Sequence, residues 1–381
     1  MYRQVGTVID TQALVPDDSS VTYAKLGNDI PLGNRNLIIN GEFDVDQRGL
    51  ASATSFTSGA HFVADRWGYY TNAGAIATYS ATHEISDDAP SGFTKSLKVT
   101  CASGGSIPAT GEVIYRQKIE GYLTKRLSYG EASAKSVTLS FWIKASVTGD
   151  YGVQLIYEAV GGTNRYYVTK YTVNSANTWE YKTITIPPNT VDAFNHTTND
   201  LGVQVYWDLG EGSTYSGTAD SGWTSTYYNG LSGGVKLMEN TGATWQKTGV
   251  QLEVGSKATP FEHRSYGDEL AKCQRYFEKD NPYTPTSFGG SLRGFAYHPT
   301  NGSGIAQSRD GPFTSFSTTK RATPTMTLYS YNGTSGAVSW ITGGGTDTNV
   351  STRAGTQGFQ TSSSTYRAFH VWFAWTADAE L

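Results

Sequence analysis

Val137-Thr138-Leu139-Ser140-Phe141-Trp142-Ile143-Lys144 alternates apolar and polar side chains, and Val153-Gln154-Leu155-Ile156-Tyr157 resumes the alternation after Ser146-Val147-Thr148-Gly149. A period of two sends successive side chains to opposite faces of a strand, so Val137, Leu139, Phe141 and Ile143 share one face, as do Val153, Leu155 and Tyr157. Leu201, Val203, Val205 and Trp207 form a third such row. Each run predicts a half-buried antiparallel strand, with Thr138, Ser140, Gln154, Gly202 and Gln204 on a wet outer face. Trp142, Ile156 and Tyr206 break the alternation and predict places where loops cover a sheet. Comparable runs extend from Asn36-Leu37-Ile38-Ile39-Asn40 to Val250-Gln251-Leu252-Glu253-Val254, separated by Gly, Asn and Ser clusters. This spacing predicts a two-sheet β-sandwich of the jelly-roll type.

Composition agrees with an all-β class. The 381 residues include 43 Gly, 25 Tyr, 15 Phe and 9 Trp but 3 Met, a profile of many turns and flat side chains that argues against helical bundles and Rossmann-type enzymes. The length predicts more than one domain. A net charge of −4 with 16% charged residues leaves no basic stripe for nucleic acid. No apolar run is long enough for membrane insertion, and the first residues do not form a secretory signal. Cys101 and Cys273 form no C-x-x-C pair and read as small buried hydrophobes in a chain made in a reducing cytoplasm.

Four segments follow. Residues 1–34 lack periodicity and read as an extended N-terminal arm that docks on a partner. Residues 35–264 hold the sandwich. Residues 265–282 form a linking helix, with Ser265 and Asp268 at capping spacing, Leu270, Cys273 and Phe277 on one stripe, and Asn281-Pro282 as the stop, expected to act as a hinge or lid. Residues 283–381 return to strands in a smaller C-terminal β domain. Its last strand is apolar on both faces, with Phe369, Val371, Phe373 and Trp375 against Tyr366, His370 and Trp372. Such a strand is either central in its sheet or packed on a second subunit, and the subunit is the expectation here.

Asn36 to Phe43, Gln47-Arg48-Gly49 and Ala64-Asp65-Arg66-Trp67 resemble the opening of a domain common in bacteriophage tail fibres. Thr244 to Gly255, Ala258-Thr259-Pro260-Phe261-Glu262 and Cys273-Gln274-Arg275-Tyr276-Phe277 are similar to its ending. Lys320 to Thr327 and Thr376 to Leu381 resemble the tail-fibre C-terminal module. The resemblance implies a galactose-binding-like sandwich related to carbohydrate-binding modules, assembly as a symmetric oligomer, expected to be a homotrimer, and a place in the virion, where host surface polysaccharide is recognised. The arm would then attach to tail or baseplate proteins. Residues 151–235 carry little of the pattern, so specificity is expected there.

Among chemical motifs, Gly230-Leu231-Ser232-Gly233-Gly234 has the spacing of a nucleophile elbow, but a strand-like run and no helix follows, so it reads as a turn. The six histidines lack metal-ligand spacing. Asp44 to Gly49 begins like a calcium loop, yet Arg48 stands where a third oxygen belongs. The resemblance allows a structural calcium ion, held by Glu42 and Glu253 near the first and last strands; the alternative is solvated carboxylates or a pairing of Glu253 with Arg66. No cofactor is otherwise required. The expected glycan site is the loop from Asp208 to Gly234, where Tyr215, Trp223, Tyr227 and Tyr228 offer flat rings for sugar CH faces and Asp220 accepts hydroxyl hydrogen bonds. A second aromatic group, Tyr329, Tyr331, Trp340 and Tyr366, lies near the C-terminal tip. The function expected is multivalent, non-catalytic attachment to host glycans. A structural baseplate or adaptor protein is the alternative, and a tail depolymerase ranks lower because no internal repeat marks a β-helix.

Overall fold

The computed structural model describes residues 33–49, 54–159, 163–191, 194, 196–280, 295–297, 309–330, 333–340, 346–347, 350–363 and 370–381. Residues 1–32 of the expected arm, and Tyr331 and Tyr366 of the C-terminal aromatic group, lie outside them.

The alternating runs fold into two six-stranded sheets. The first runs β1 (Thr54–Ser55), β4 (Ser80–Ser86), β5 (Ser96–Ser103), β14 (Thr244–Val254), β7 (Val137–Ala145), β10 (Glu180–Ile186). The second runs β2 (Gly59–Ala64), β3 (Trp67–Thr71), β6 (Val113–Glu120), β11 (Leu201–Asp208), β8 (Gly149–Tyr157), β9 (Arg165–Val173). Two short parallel strands, β12 (Ser216–Gly217) and β13 (Gly230–Leu231), brace the loop between β11 and β14. All pairings within the large sheets are antiparallel; β2–β3, β4–β5 and β8–β9 are paired within one sheet, and the other connections from β1 to β11 cross between the sheets, giving a jelly-roll sandwich.

Period two places Val137, Leu139, Phe141 and Ile143 of β7 opposite Val153, Leu155, Tyr157, Val203, Val205 and Trp207 of β8 and β11 in one core. Lys247 on β14 points into this core. It is fully buried, its Nζ has no hydrogen-bond partner, and it stands 3.4 Å from the Trp207 ring centroid, 3.9 Å from Trp67 and 5.3 Å from Trp245. Burial pushes the amine well below its ordinary range.

The outer faces differ from the sequence expectation. Thr138, Ser140, Gln154 and Gln204 point away from the core but are buried, because residues 255–263 cover part of the first sheet and the β11–β14 loop covers part of the second. Local alternation cannot report coverage by segments distant in sequence. Cys101 and Cys273 are buried free thiols, as expected.

The helix spans Tyr266–Gln274, capped by the Ser265 hydroxyl, which accepts from the Asp268 amide at 3.2 Å. It stops before the predicted end because Phe277–Lys279 is extended and pairs with Ala374–Asp378. Nor is it placed as a hinge. Glu269 is buried and accepts from Arg264 and the Asn40 amide, Cys273 and Tyr276 pack on Ile39 and Val45, and Arg275 and Tyr276 both reach Glu120 of β6 at 2.6 and 2.8 Å.

Segments distant in sequence meet at this joint. Gln47 donates to Asp65 through its amide and side chain, both at 2.6 Å, while Arg48 stacks on Phe277 and bonds Glu380 at 3.2 Å. Arg66, almost fully buried, pairs with Glu380 and lies over the Tyr276 ring. Arg321 donates to the backbone oxygens of Asn199, Ala379 and Glu380. The last strands are inner ones: Ala374–Asp378 lies between Phe277–Lys279 and Thr325–Tyr329, and His370–Trp372 between Phe295–Tyr297 and Val338–Trp340. An inner position of this kind agrees with the central-strand alternative; Tyr366 and Phe369 lie outside the described residues. Among the described residues no helix is long and apolar enough to cross a membrane.

Candidate functional site

The outer face of the second sheet carries its own apolar cluster: Ile114, Ile156, Tyr166 and Tyr206, with Tyr70 against them. Two of these, Ile156 and Tyr206, are the residues that broke the alternation. A polar ladder crosses the same face. The Arg116 guanidinium donates to the Tyr206 hydroxyl at 3.0 Å, Tyr206 to Gln204 Oε1 at 2.8 Å, and Gln204 Nε2 to Glu158 Oε1 at 2.8 Å. Register explains the ladder: Arg116 and Tyr206 are cross-strand partners, as are Gln204 and Ile156. Tyr70 and Tyr206 flank the Arg116 cation at 5.7 and 5.6 Å.

The β11–β14 loop forms the rim. It is pinned to the edge strand β9 through reciprocal Tyr166 and Thr224 backbone bonds of 2.9 and 3.0 Å and a bond from the Asp220 amide to Val168 O at 2.8 Å. Buried carboxylates close its base. Asp208 accepts from the amides of Gly210, Glu211 and Leu231 at 2.8 to 2.9 Å, and Glu211 accepts from the Val113 amide at 2.9 Å. Burial pushes Asp208 up to about 6 against the pull of those three donors, and lifts Glu211 well above the usual range, helped by the neighbouring Asp208 and Glu112 charges. Residue 230 has to be glycine, because a Cβ there would lie 2.3 Å from Glu211 Cβ.

Of the residues singled out in the loop, Tyr215 and Tyr227 meet edge to face at 5.3 Å, and Tyr227 also touches Tyr166 at 5.5 Å, so both stand beside the ladder. Tyr227 is 46% exposed and donates its hydroxyl to Glu112 at 2.9 Å, where Asn229 also donates. Tyr228 packs on Gly217. Trp223 faces the sandwich, meeting Tyr129, Tyr157 and Tyr167, and its indole donates to Pro187 O at 3.0 Å. Asp220, with a left-handed φ of 55°, accepts from Tyr167 at 3.2 Å. Arg116, Gln204, Tyr206 and Glu158 were not singled out; the broken alternation at Tyr206 was their signal.

Glu42 bonds His263 at 2.9 Å. Glu253 accepts from Gln251, from the Thr259 amide and from the Thr259 hydroxyl at 2.7 to 2.8 Å, with Arg35, not Arg66, as its ionic neighbour. Both Glu253 oxygens thus serve to fasten Thr259 and Gln251, and among the described residues no cluster of three or more His, Cys, Asp or Glu is arranged to hold a metal. Gly230–Leu231 of the elbow-like motif is a short strand leading to a single 3-10 turn, Leu237–Glu239.

No protein-family model and no curated protein matches the chain. Solved structures similar to it include the enzymatically active domain of bacteriophage CBA120 tailspike protein 4, at 12% identity over 58% of this chain and 21% of that one, with a TM-score of 0.29. The family 11 carbohydrate-binding module of a Clostridium thermocellum cellulosomal cellulase is 16% identical over 53% of this chain and 99% of its own, with a TM-score of 0.27. The module TmCBM61, solved with β-1,4-galactotriose, is 11% identical over 58% and 99%, with a TM-score of 0.27.

Proposed function

We propose that the protein binds carbohydrate without cleaving it, through the outer face of the second sheet, as a receptor-binding subunit of a bacteriophage tail fibre. The observation that carries the binding reading is the Arg116, Tyr206, Gln204 and Glu158 ladder set among Tyr70, Tyr166 and Tyr227. A sugar ring offers flat CH faces to aromatic rings and hydroxyls to donors and acceptors; Tyr206 and Gln204 are buried and hold the half-buried Arg116 and Glu158 in place before a ligand arrives, so those two side chains and the Tyr70 and Tyr227 rings are what a sugar would meet. Non-catalytic action is supported by how the nearby carboxylates are used. Glu158 accepts from Gln204, Glu112 from Tyr227 and Asn229, and Asp208 and Glu211 are closed beneath the loop, whereas glycoside hydrolysis needs two carboxyl groups facing one bond.

The virion role is supported by the tail-fibre-like segments at 36–67, 244–277 and 320–381. In this reading residues 1–34 attach to the tail, and a trimer repeats a weak site so that effective concentration turns it into firm attachment. The structural adaptor is the second reading, favoured by the way Trp223 anchors the loop. Labelled protein applied to intact host bacteria, before and after periodate oxidation of their surface sugars, separates the two. Binding that periodate abolishes, and that Arg116→Ala or Tyr227→Ala weakens at least tenfold with the fold intact, is the expected result. Absence of binding to every host of the parent phage moves the protein to the adaptor class.

A further inference from the structure

The opposite face of the sandwich holds a groove of about 780 Å³ that no motif announced. One side is formed by Trp142 and Tyr181, cross-strand partners on β7 and β10 whose rings lie 5.4 Å apart; Tyr181 is 44% exposed. The other is a cluster of Phe93, Phe261 and His263 with ring centroids 4.9 to 5.3 Å apart. Thr183 and Thr185 continue the row from Tyr181 along β10, a distance of about 14 Å at the usual rise per residue. This is the length of an oligosaccharide rather than of a single sugar.

The wall is a built feature. Glu253 takes both the amide and the hydroxyl of Thr259, Gln251 takes the Glu262 amide at 2.8 Å, and Glu42 holds His263. A bulge in β14 between Thr248 and Gln251 puts Gly249 at φ 61°, and a Cβ there would stand 2.6 Å from the Phe93 ring. Glu253 and Gln251 are buried side chains that serve to fasten a surface segment. No carboxylate is among the described residues that line the groove, while Lys257 and His263 are.

We propose that this groove is a second carbohydrate-binding site, which stacks a short stretch of polysaccharide over Trp142 and Tyr181 and binds its hydroxyls through Thr183 and through Thr185, whose hydroxyl donates to Ser256 O at 3.1 Å and is left to accept. Its missing carboxylates let it accept an acidic chain as well as a neutral one. The inference rests on the carbohydrate reading of the protein but on none of the residues of the first site. Two sites on opposite faces let one subunit bridge two strands of a surface polysaccharide.

The test is affinity electrophoresis of the full chain through gels cast with soluble xylan, galactomannan, mixed-linkage β-glucan, dextran or alginate. Tyr181→Ala and Thr183→Trp are used because both positions are exposed; the first removes a stacking ring and the second fills the groove. Each is expected to weaken retardation at least about fivefold in a gel that retards the parent, and to leave the residual binding sensitive to Arg116→Ala. Unchanged retardation of both variants overturns the groove and leaves the first site standing. Loss on Tyr181→Ala with no effect of Arg116→Ala keeps the groove and removes the first site. A parent retarded by none of the five gels overturns the groove as a site for these chains.

Discussion

Lys247→Met sets two opposing effects of the core against each other. Three indoles surround the amine and favour its charged form by about 2 kcal/mol when water is excluded. Desolvation of an ammonium costs several kcal/mol even after relaxation, and here no carboxylate or carbonyl accepts from Nζ. Desolvation is the larger effect, so the folded chain gives up this proton well before the unfolded chain, whose ammonium persists up to the ordinary value of 10.5. The unfolded state therefore binds more protons, and stability rises with pH by about 1.4 kcal/mol per unit between the folded and unfolded values. Methionine has similar volume and no polar atom, so it removes both the titration and the unpaired donors. The expected result near neutral pH is a gain of at least about 2 kcal/mol, or roughly 4 to 8 °C for a sandwich of this size. Urea unfolding followed by tryptophan fluorescence reads it directly, since Trp67 and Trp207 are the contacted rings. The gain should shrink as pH rises toward 10.5, because the parent becomes more stable as the unfolded amine loses its proton. A variant less stable than the parent, with a gap that does not change with pH, would mean that the indoles hold a cation and that this ordering of the two effects is wrong.

Gly249→Ala forces an L-residue to positive φ and pushes on Phe93, so thermal unfolding should show a loss of about 1–3 kcal/mol together with loss of any binding that depends on the groove. Asp208 has a raised folded value of about 6, so the native state binds the extra proton and the stabilisation of the loop is lost as pH rises from about 4 through 6. Amide exchange at Gly210, Glu211 and Leu231, corrected for intrinsic rates, should quicken across that window; flat protection contradicts the assignment. Glu380→Ala strands Arg66 without its carboxylate and should cost about 3–5 kcal/mol in chemical denaturation, whereas a loss below about 1 kcal/mol would mean the joint is wet.

The inner faces of β7, β8 and β11 were legible because strand alternation is a local property, and burial of Val137, Leu155 and Trp207 follows from it directly. Coverage is not local. Gln154 and Ser140 looked wet because nothing near them in sequence reports that residues 210–231 and 255–263 return over the sheets. Helix periodicity through Phe277 was real, but pairing with a strand a hundred residues later competed for the same backbone and ended the helix at Gln274. In the binding loop, aromatic content pointed to Tyr215 and Tyr227 beside the ladder, yet it could not distinguish them from Trp223, whose ring turns toward Tyr129 and Tyr157. Arg116 and Gln204 were invisible because each looks like an ordinary outward polar residue until register aligns them.

The ion pair between Arg66 and Glu380 spans 314 positions of chain. At 5–20 residues per second, the ribosome delivers the carboxylate roughly 15 to 60 s after the arginine. Through that interval the nascent sandwich carries Arg66, destined for burial, with its acidic partner not yet made. Closure of the joint thus waits on translation of residue 380, and a polypeptide released before it carries Arg66 without that carboxylate.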